Sequence, residues 1–306
     1  MAENLLVIKL GALGDFVQAL GPMQAIRRHH ANARITLLTT PLYVPLAEAS
    51  GYVDAVWVDD RAPAFALGRH WAFRRKLTGA GFDRVYDLQT SDRSGWYFRL
   101  MAGAQPEWSG IASGCSHPHA NPGRDHMHTI DRQAEQLAAA GITPVPAPDL
   151  SWFDAPIEAF GIPGRFALLA PGGAAHRPEK RWPVDRYAAL AARLAAQGVR
   201  PVIAGGPEDA AAAAEIQRDC PEIHSLIGRT SLLELGGLAR RAVAAVGNDT
   251  GPMHIAAAVG CRSVVLFSNA SDPSLCAQRG PDVTIMRRPS LDGLAVDEVE
   301  AALRLG

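Results

Sequence analysis

The sequence predicts an α/β protein made of two doubly wound domains. Three observations lead there. At 306 residues the chain is too long for one comfortable core and fits two domains of ordinary size. Short apolar runs alternate with helical segments through both halves, the pattern of a parallel sheet covered on both faces. Several of those runs end in glycine-containing turns that open helices, the arrangement by which doubly wound sheets bind ligands at their carboxyl edge.

The first half starts with the buried strand Leu5-Leu6-Val7-Ile8-Lys9-Leu10 and the turn Gly11-Ala12-Leu13-Gly14-Asp15. Phe16, Ala19, Leu20, Met23 and Ile26 follow at helical spacing, with Gly21-Pro22 placed to kink or restart the helix. Arg34–Thr39, Ala55–Val58 and Arg84–Gln89 are further strands. The proline-rich stretch Thr143-Pro144-Val145-Pro146-Ala147-Pro148 is the linker, giving domains 1–150 and 151–306.

The second half resumes with the strand Phe166–Ala170. Asp185 opens a helix over Arg186–Gln197 that Gly198 closes, Pro201–Ala204 is a strand, and Ser231-Leu232-Leu233-Glu234 has the form of a capping box. Val264–Phe267 is another strand, and Val296–Leu305 forms a last helix that could pack on either domain. Two such domains facing one another would share a central cleft.

Residues Gly247-Asn248-Asp249-Thr250-Gly251-Pro252-Met253-His254 join the apolar strand Ala242–Val246 to the helix Ile255–Val259, which stops at Gly260. Pro252 suits the first helical turn, where its missing N–H is not needed. The free N–H groups and the helix dipole would then face an anion in front of Gly251. Asp249 and Thr250 are equally good residues for simply capping that helix.

Composition narrows the function. A net charge of −1 gives no electrostatic footprint for nucleic acid. Nothing approaches eighteen consecutive apolar residues, and Glu3, Lys9 and Asp15 interrupt the N-terminal apolar stretch, so a cytoplasmic protein is expected. Cys115, Cys220, Cys261 and Cys276 are widely spaced with no C-x-x-C pair, which disfavours a disulfide framework or zinc knuckle. Arginine is the default cation, the only lysines being Lys9, Lys76 and Lys180. A lysine beside a glycine turn suggests a compact charge for phosphate, although chance placement predicts the same.

Several residues could carry chemistry. Asp15, at the first strand-to-helix turn, could be a general base or an N-cap for a helix beginning near Phe16. Gly11-x-x-Gly14 is not the G-x-G-x-x-G dinucleotide fingerprint. Pro171-Gly172-Gly173-Ala174-Ala175 leads through His176 to Lys180-Arg181-Trp182-Pro183, so small residues for close backbone approach precede local positive charge. At Gly205-Gly206-Pro207-Glu208-Asp209, Glu208 could accept ribose hydroxyls or simply complement a helix dipole. Three such turns in one domain favour a nucleotide-diphosphate site. His117, His119, His126 and His128 match no metal-ligand spacing and are expected on a long polar surface loop. Asp92–Arg99 mixes cations with aromatics, which suits an anionic acceptor or a membrane surface but suits aromatic core packing better.

Together these segments resemble glycosyltransferase family 9, the lipopolysaccharide heptosyltransferases. The resemblance rests on Val7-Ile8-Lys9-Leu10-Gly11-Ala12-Leu13-Gly14-Asp15, on Pro171-Gly172-Gly173 followed by Lys180-Arg181-Trp182-Pro183, and on Asn248-Asp249-Thr250-Gly251-Pro252-Met253-His254. It departs after Phe267, where Ser268-Asn269-Ala270-Ser271-Asp272-Pro273 replaces a typical Gly-Pro-Thr-Asp-Pro. The family resemblance implies a GT-B fold of two Rossmann-like domains, with the acceptor on the first and a nucleotide-sugar donor, usually ADP-heptose, on the second. By position Asp15 matches the catalytic base. Gly172, Gly173, Lys180, Glu208, Asp249, Thr250, Gly251 and His254 match the donor site, and Lys9, Gly14, Gln89 and Arg93 are the acceptor-side candidates. Inverting transfer to a lipid-linked anionic glycan is then expected, with transient contact at the inner-membrane surface. No D-x-D triplet suggests a metal-chelated diphosphate, so neither metal nor cofactor is expected. A non-catalytic sugar-nucleotide-binding protein of the same fold, or a two-domain Rossmann oxidoreductase, remain the alternatives.

Overall fold

The computed structural model describes residues 2–59, 61–63, 65–104, 106–173 and 177–305. The chain divides after Asp149 into two compact units, Met1–Asp149 and Leu150–Gly306.

In the first unit β1 (Asn4–Ile8), α1 (Leu13–Gln18), α2 (Leu20–His29), β2 (Arg34–Thr39), α3 (Val44–Ser50), β3 (Ala55–Val58), α4 (Leu67–Gly79) and β4 (Arg84–Asp87) follow in order. Then come α5 (Asp92–Leu100), β5 (Glu107–Gly110), β6 (His117–Pro118) and α6 (Thr129–Ala139). The six strands pair in parallel in the order β3-β2-β1-β4-β5-β6. This is the Rossmann order, in which the direction of winding reverses between the first and fourth strands. Leu5 to Ile8 are buried because helices cover both faces of the sheet, so β1 is a continuous apolar run rather than an alternating one. The helix restarts one step before Gly21-Pro22, α1 ending at Gln18 and α2 beginning at Leu20.

The second unit repeats the plan with β7 (Phe166–Ala170), α7 (Val184–Ala196), β8 (Arg200–Ile203), α8 (Ala210–Asp219), β9 (His224–Ser225) and α9 (Leu232–Arg241). It continues with β10 (Ala244–Asn248), α10 (Gly251–Ala258), β11 (Ser263–Phe267), α11 (Pro273–Cys276), β12 (Val283–Arg287) and α12 (Val296–Leu303). The all-parallel order β12-β11-β10-β7-β8-β9 is the same Rossmann order, reversing between β7 and β10.

Local signals explain most boundaries. The capping box before α9 forms as expected, with the Glu234 N–H donating to Ser231 Oγ at 3.2 Å and the Ser231 N–H to Glu234 Oε2 at 2.7 Å. Pro183, not Asp185, occupies the N-cap of α7, and Asp185 sits in its first turn. Helix α12 sends Val299 and Leu303 into the core of the second unit beside Leu190, Leu194 and Val264. The four cysteines are free, three of them buried. No described helix is long and apolar enough to cross a membrane.

Candidate active site

Strand register assembles each half of the site. In the first unit Ile8 lies opposite Leu38 on one side and Asp87 on the other, so the turns after β1 and β4 emerge side by side at the reversal point. The Leu10 N–H donates to Gln89 Oε1 at 2.8 Å, and Lys9 Nζ donates to the Leu88 carbonyl at 3.2 Å. Gly11 adopts φ +121°, and a Cβ there would come within 2.9 Å of the Tyr43 ring, which stacks on Phe16 beneath the turn.

Asp15 is half-buried and accepts the Ala12 N–H at 3.2 Å through Oδ2. Because α1 begins at Leu13 with Ala12 at the N-cap, Asp15 is the third residue of the helix and not its N-cap. Lys9 is 3% exposed. Burial pushes its ammonium pKa down, against the attraction of Asp15 and Asp87. Asp87 is fully buried and burial raises its carboxyl to about 6, although the Thr90 and Gln89 N–H groups and Lys9 favour its ionised form. Gly14, half-buried, lies in the first turn of α1 beside Asp15.

Arg93 is engaged. Its Nε and Nη2 reach Asp59 at 2.8 and 2.9 Å, and Tyr97 bonds the same carboxylate. Burial alone would raise Asp59, but Arg93 and Tyr97 hold its carboxyl below the ordinary range. Ser94 and Tyr97 are buried, so much of Asp92–Arg99 packs inward.

The His-rich stretch departs from a simple surface loop. His119 is buried and faces Glu135 Oε1 at 3.3 Å, and His128 is buried and accepts the Ile130 N–H at the start of α6. Among the described residues no three His, Cys, Asp or Glu groups are placed to hold a metal ion.

In the second unit Gly247 pairs with Ala170 and Val265, which sets Asn248 beside Pro171 at the reversal point. Asn248 is fully buried and uses its whole hydrogen-bonding capacity. Its Nδ2 donates to the Pro171 and Gly172 carbonyls at 2.8 and 2.9 Å, while its Oδ1 accepts the Trp182 N–H at 2.9 Å and the Tyr187 hydroxyl at 3.1 Å. One amide therefore ties the Gly172-Gly173 turn to the segment that carries Lys180 and Arg181. Ala174, Ala175 and His176 lie outside the described residues.

Asp249 follows, almost buried, with Lys180 Nζ at 2.8 Å, Ser271 Oγ at 2.6 Å, Gln278 Nε2 at 3.1 Å and His254 Nε2 at 4.0 Å. Burial would raise its carboxyl, but the bonds from Lys180, Ser271 and Gln278 outweigh burial and hold it below the usual range. Ser271 shows what the departure after Phe267 does: its hydroxyl ties that loop to Asp249. Thr250 is the N-cap residue of α10, with Gly251 and Pro252 in the first turn, yet its hydroxyl makes no capping bond. Among the described residues, Thr250 Oγ1 and Arg181 Nε are both buried without a hydrogen-bond partner. Arg181 Nη2 donates to the Gly173 carbonyl, and a Cβ on Gly173 would meet Arg181 at 3.4 Å and Thr250 at 3.9 Å. Backbone, guanidinium and helix N-terminus thus converge on one place.

The two acids of the third turn are placed differently. Glu208 is exposed, whereas Asp209 is buried, accepts the Gly206 N–H at 3.2 Å and leaves no room for a Cβ on Gly172. Burial and the neighbouring Glu208 raise the Asp209 carboxyl. Asn248, Asp209, Ser271 and Gln278 are the members that sequence reasoning did not single out. For Asn248 the available signal was a polar residue ending an apolar strand.

A model of glycosyltransferase family 9 (heptosyltransferase) matches residues 70–291. Lipopolysaccharide heptosyltransferase 3 of Escherichia coli K12 is 34% identical over 279 residues, covering 83% of this chain and 79% of that protein. Lipooligosaccharide heptosyltransferase 2 of Haemophilus influenzae is 37% identical over 120 residues, 38% of this chain, and the match spans 34% of that relative's length. Among solved structures, E. coli ADP-heptose LPS heptosyltransferase II aligns over 98% of both chains with a TM-score of 0.79 at 22% identity. E. coli heptosyltransferase WaaC with ADP aligns over 97% of this chain and 98% of its own, with a TM-score of 0.78 at 20% identity. These likenesses establish the fold as the GT-B class of paired Rossmann-like units. By the family model and by a relative 34% identical along 83% of this chain, the chain belongs to glycosyltransferase family 9, the heptosyltransferases.

Proposed function

We propose that this glycosyltransferase moves a heptose from ADP-heptose to the inner core of lipopolysaccharide, with inversion at the anomeric carbon. The observation that carries this reading is the Lys180–Asp249 pair at the N-terminus of α10, beside the Gly172-Gly173 turn and the unpartnered Thr250 hydroxyl. A diphosphate seated there meets backbone N–H groups, the helix dipole and an ammonium, which together stabilise leaving-group charge. We propose no metal or other cofactor for this step, since these groups supply the positive charge. The names of the E. coli and H. influenzae relatives support the acceptor class, and WaaC structures with ADP and with ADP-2-deoxy-2-fluoro heptose support the donor class.

In this mechanism the unit Leu150–Gly306 holds the donor through Gly172, Gly173, Lys180, Glu208, Asp249, Thr250, Gly251 and His254. The unit Met1–Asp149 holds the acceptor, with Lys9, Gly14, Gln89 and Arg93 shaping its edge around Asp15. Asp15 takes the proton from an acceptor hydroxyl as that oxygen attacks the anomeric carbon and ADP leaves from the opposite face. The acceptor is lipid-linked, so the enzyme works at the cytoplasmic face of the inner membrane. Nucleotide release from a panel of ADP-, GDP- and UDP-sugars, with and without a heptose-deficient lipopolysaccharide, tests the proposal. Acceptor-dependent release from ADP-heptose alone supports it; release from a GDP- or UDP-sugar instead, or from none, contradicts it.

A further inference from the structure

The segment from Arg61 to Phe82 contains Arg61, Arg69, Arg74, Arg75 and Lys76 and no Asp or Glu, in a chain whose net charge is −1. All five cations are exposed. The same segment carries the three most exposed large hydrophobic side chains among the described residues: Phe65 at 85%, Leu67 at 75% and Trp71 at 59%. Leu67, Trp71 and Arg75 recur every four residues and so share one face of α4. The Arg75 guanidinium lies 4.8 Å from the Trp71 ring centroid. The opposite face is what attaches the helix, through the buried Leu77 and the edge contact of Phe73 with Tyr97.

This surface adjoins the candidate base. All strands of the first sheet are parallel, so the loop leaving β3 towards α4 emerges at the same carboxyl edge as the turn that bears Asp15. Arg61 Nη2 donates to the Leu10 carbonyl at 3.3 Å and ties that loop to the turn. Between α4 and α5 lies a hollow of about 290 Å³ lined by Arg69, His70, Lys76, Phe73 and Trp96, with Arg93 there held by Asp59.

We infer that residues 61–63 and 65–79 carry the surface by which the enzyme docks on an anionic lipid bilayer. Phe65, Leu67 and Trp71 enter the headgroup region, and Arg74 and Arg75 meet lipid phosphates. Aromatic and aliphatic tips flanked by cations, with no acid among them, are the chemistry of an interfacial helix. A second copy of the chain is a poor occupant, because a two-fold contact through this patch would set like charges against each other. The inference rests on the lipid-linked acceptor proposed above, to which it adds the place of contact.

Co-sedimentation with vesicles tests it without any transfer reaction, so its failure is separable from failure of the functional proposal. The wild type should pellet with vesicles of equal parts phosphatidylglycerol and phosphatidylcholine, not with phosphatidylcholine alone, and high salt should release it. The double variants Phe65→Ser/Trp71→Ser and Arg74→Glu/Arg75→Glu, all at exposed positions, should each bind the anionic vesicles at least about tenfold more weakly. Both should keep wild-type unfolding midpoints and wild-type activity on a soluble, delipidated acceptor. Equal binding by wild type and variants, no binding by the wild type, or a wild-type dimer that Trp71→Ser dissolves would each overturn the inference.

Discussion

Replacing Asn248 with alanine removes four hydrogen bonds at once from a fully buried place: two to the Pro171 and Gly172 carbonyls, one from the Trp182 N–H and one from the Tyr187 hydroxyl. At about 1 kcal/mol net for each bond the loss is about 4 kcal/mol. Water entering the vacated space would restore part of it, which sets a floor of roughly 2 kcal/mol. That is a large share of the ~5–15 kcal/mol by which domains are ordinarily stable. The functional consequence follows from what the amide joins, since freeing the Gly172-Gly173 turn from the Lys180–Trp182 segment disperses groups proposed to meet the donor diphosphate. Urea unfolding followed by tryptophan fluorescence should show the loss, and calorimetric titration should show ADP affinity reduced by at least about tenfold. Asn248→Asp keeps size and both accepted bonds, but it turns a second acceptor towards two carbonyls, so it should be nearly as damaging. A loss below about 1 kcal/mol together with unchanged ADP affinity would refute this account of Asn248.

Lys180→Met should weaken ADP binding by roughly 10–100-fold, the scale of a hydrogen bond to a charged group, and unchanged affinity by calorimetry would remove Lys180 from the donor site. In that variant the buried Asp249 carboxyl loses its first-ranking opponent to burial and should rise, so stability lost at neutral pH should partly return on acidification. Gly172→Ala places a Cβ on the Asp209 carboxylate and should lower both the unfolding midpoint and ADP affinity; a neutral result would mean the turn opens freely. Asp87 supplies a pH test. Its carboxyl, at about 6 in the fold against 3.8 ordinarily, takes up a proton in the folded state before the unfolded chain does, so its contribution to stability rises as pH falls from about 6 towards 4. The gain is at most about 3 kcal/mol. Asp87→Asn should flatten that part of the urea-midpoint profile, and parallel profiles for wild type and variant would contradict the assignment.

How much of this was legible depended on whether the signal was local. Arg34–Thr39, Ala55–Val58 and Phe166–Ala170 are strands with the bounds expected, because each carries its signal locally in a short apolar or β-branched run, and Phe166–Ala170 is buried along its whole length. Pro252 and the Ser231 capping box were readable for the same reason. Short strands such as His117–Pro118 carry no periodic pattern, and their pairing with Glu107–Gly110 is set only by the assembled sheet. The exposed apolar residues of α4 are invisible in sequence, where Leu67 and Trp71 look like core. At Glu208-Asp209 adjacent acids are indistinguishable until the turn decides which one is buried against Gly172 and accepts the Gly206 N–H. Asn248 sat within a quoted motif, but its four partners come from residues 61 to 77 positions away.

The central claim is inverting heptosyl transfer with Asp15 as the base. The measurement that tests it most directly is single-turnover incubation of ADP-heptose with heptose-deficient lipopolysaccharide, reading acceptor mass and the anomeric configuration of the new linkage for wild type and Asp15→Asn. The account predicts a gain of one heptose with inverted configuration, and a rate about 10²–10⁴-fold lower in the variant at unchanged ADP affinity. Retained configuration, or a variant that transfers at the wild-type rate, would contradict it.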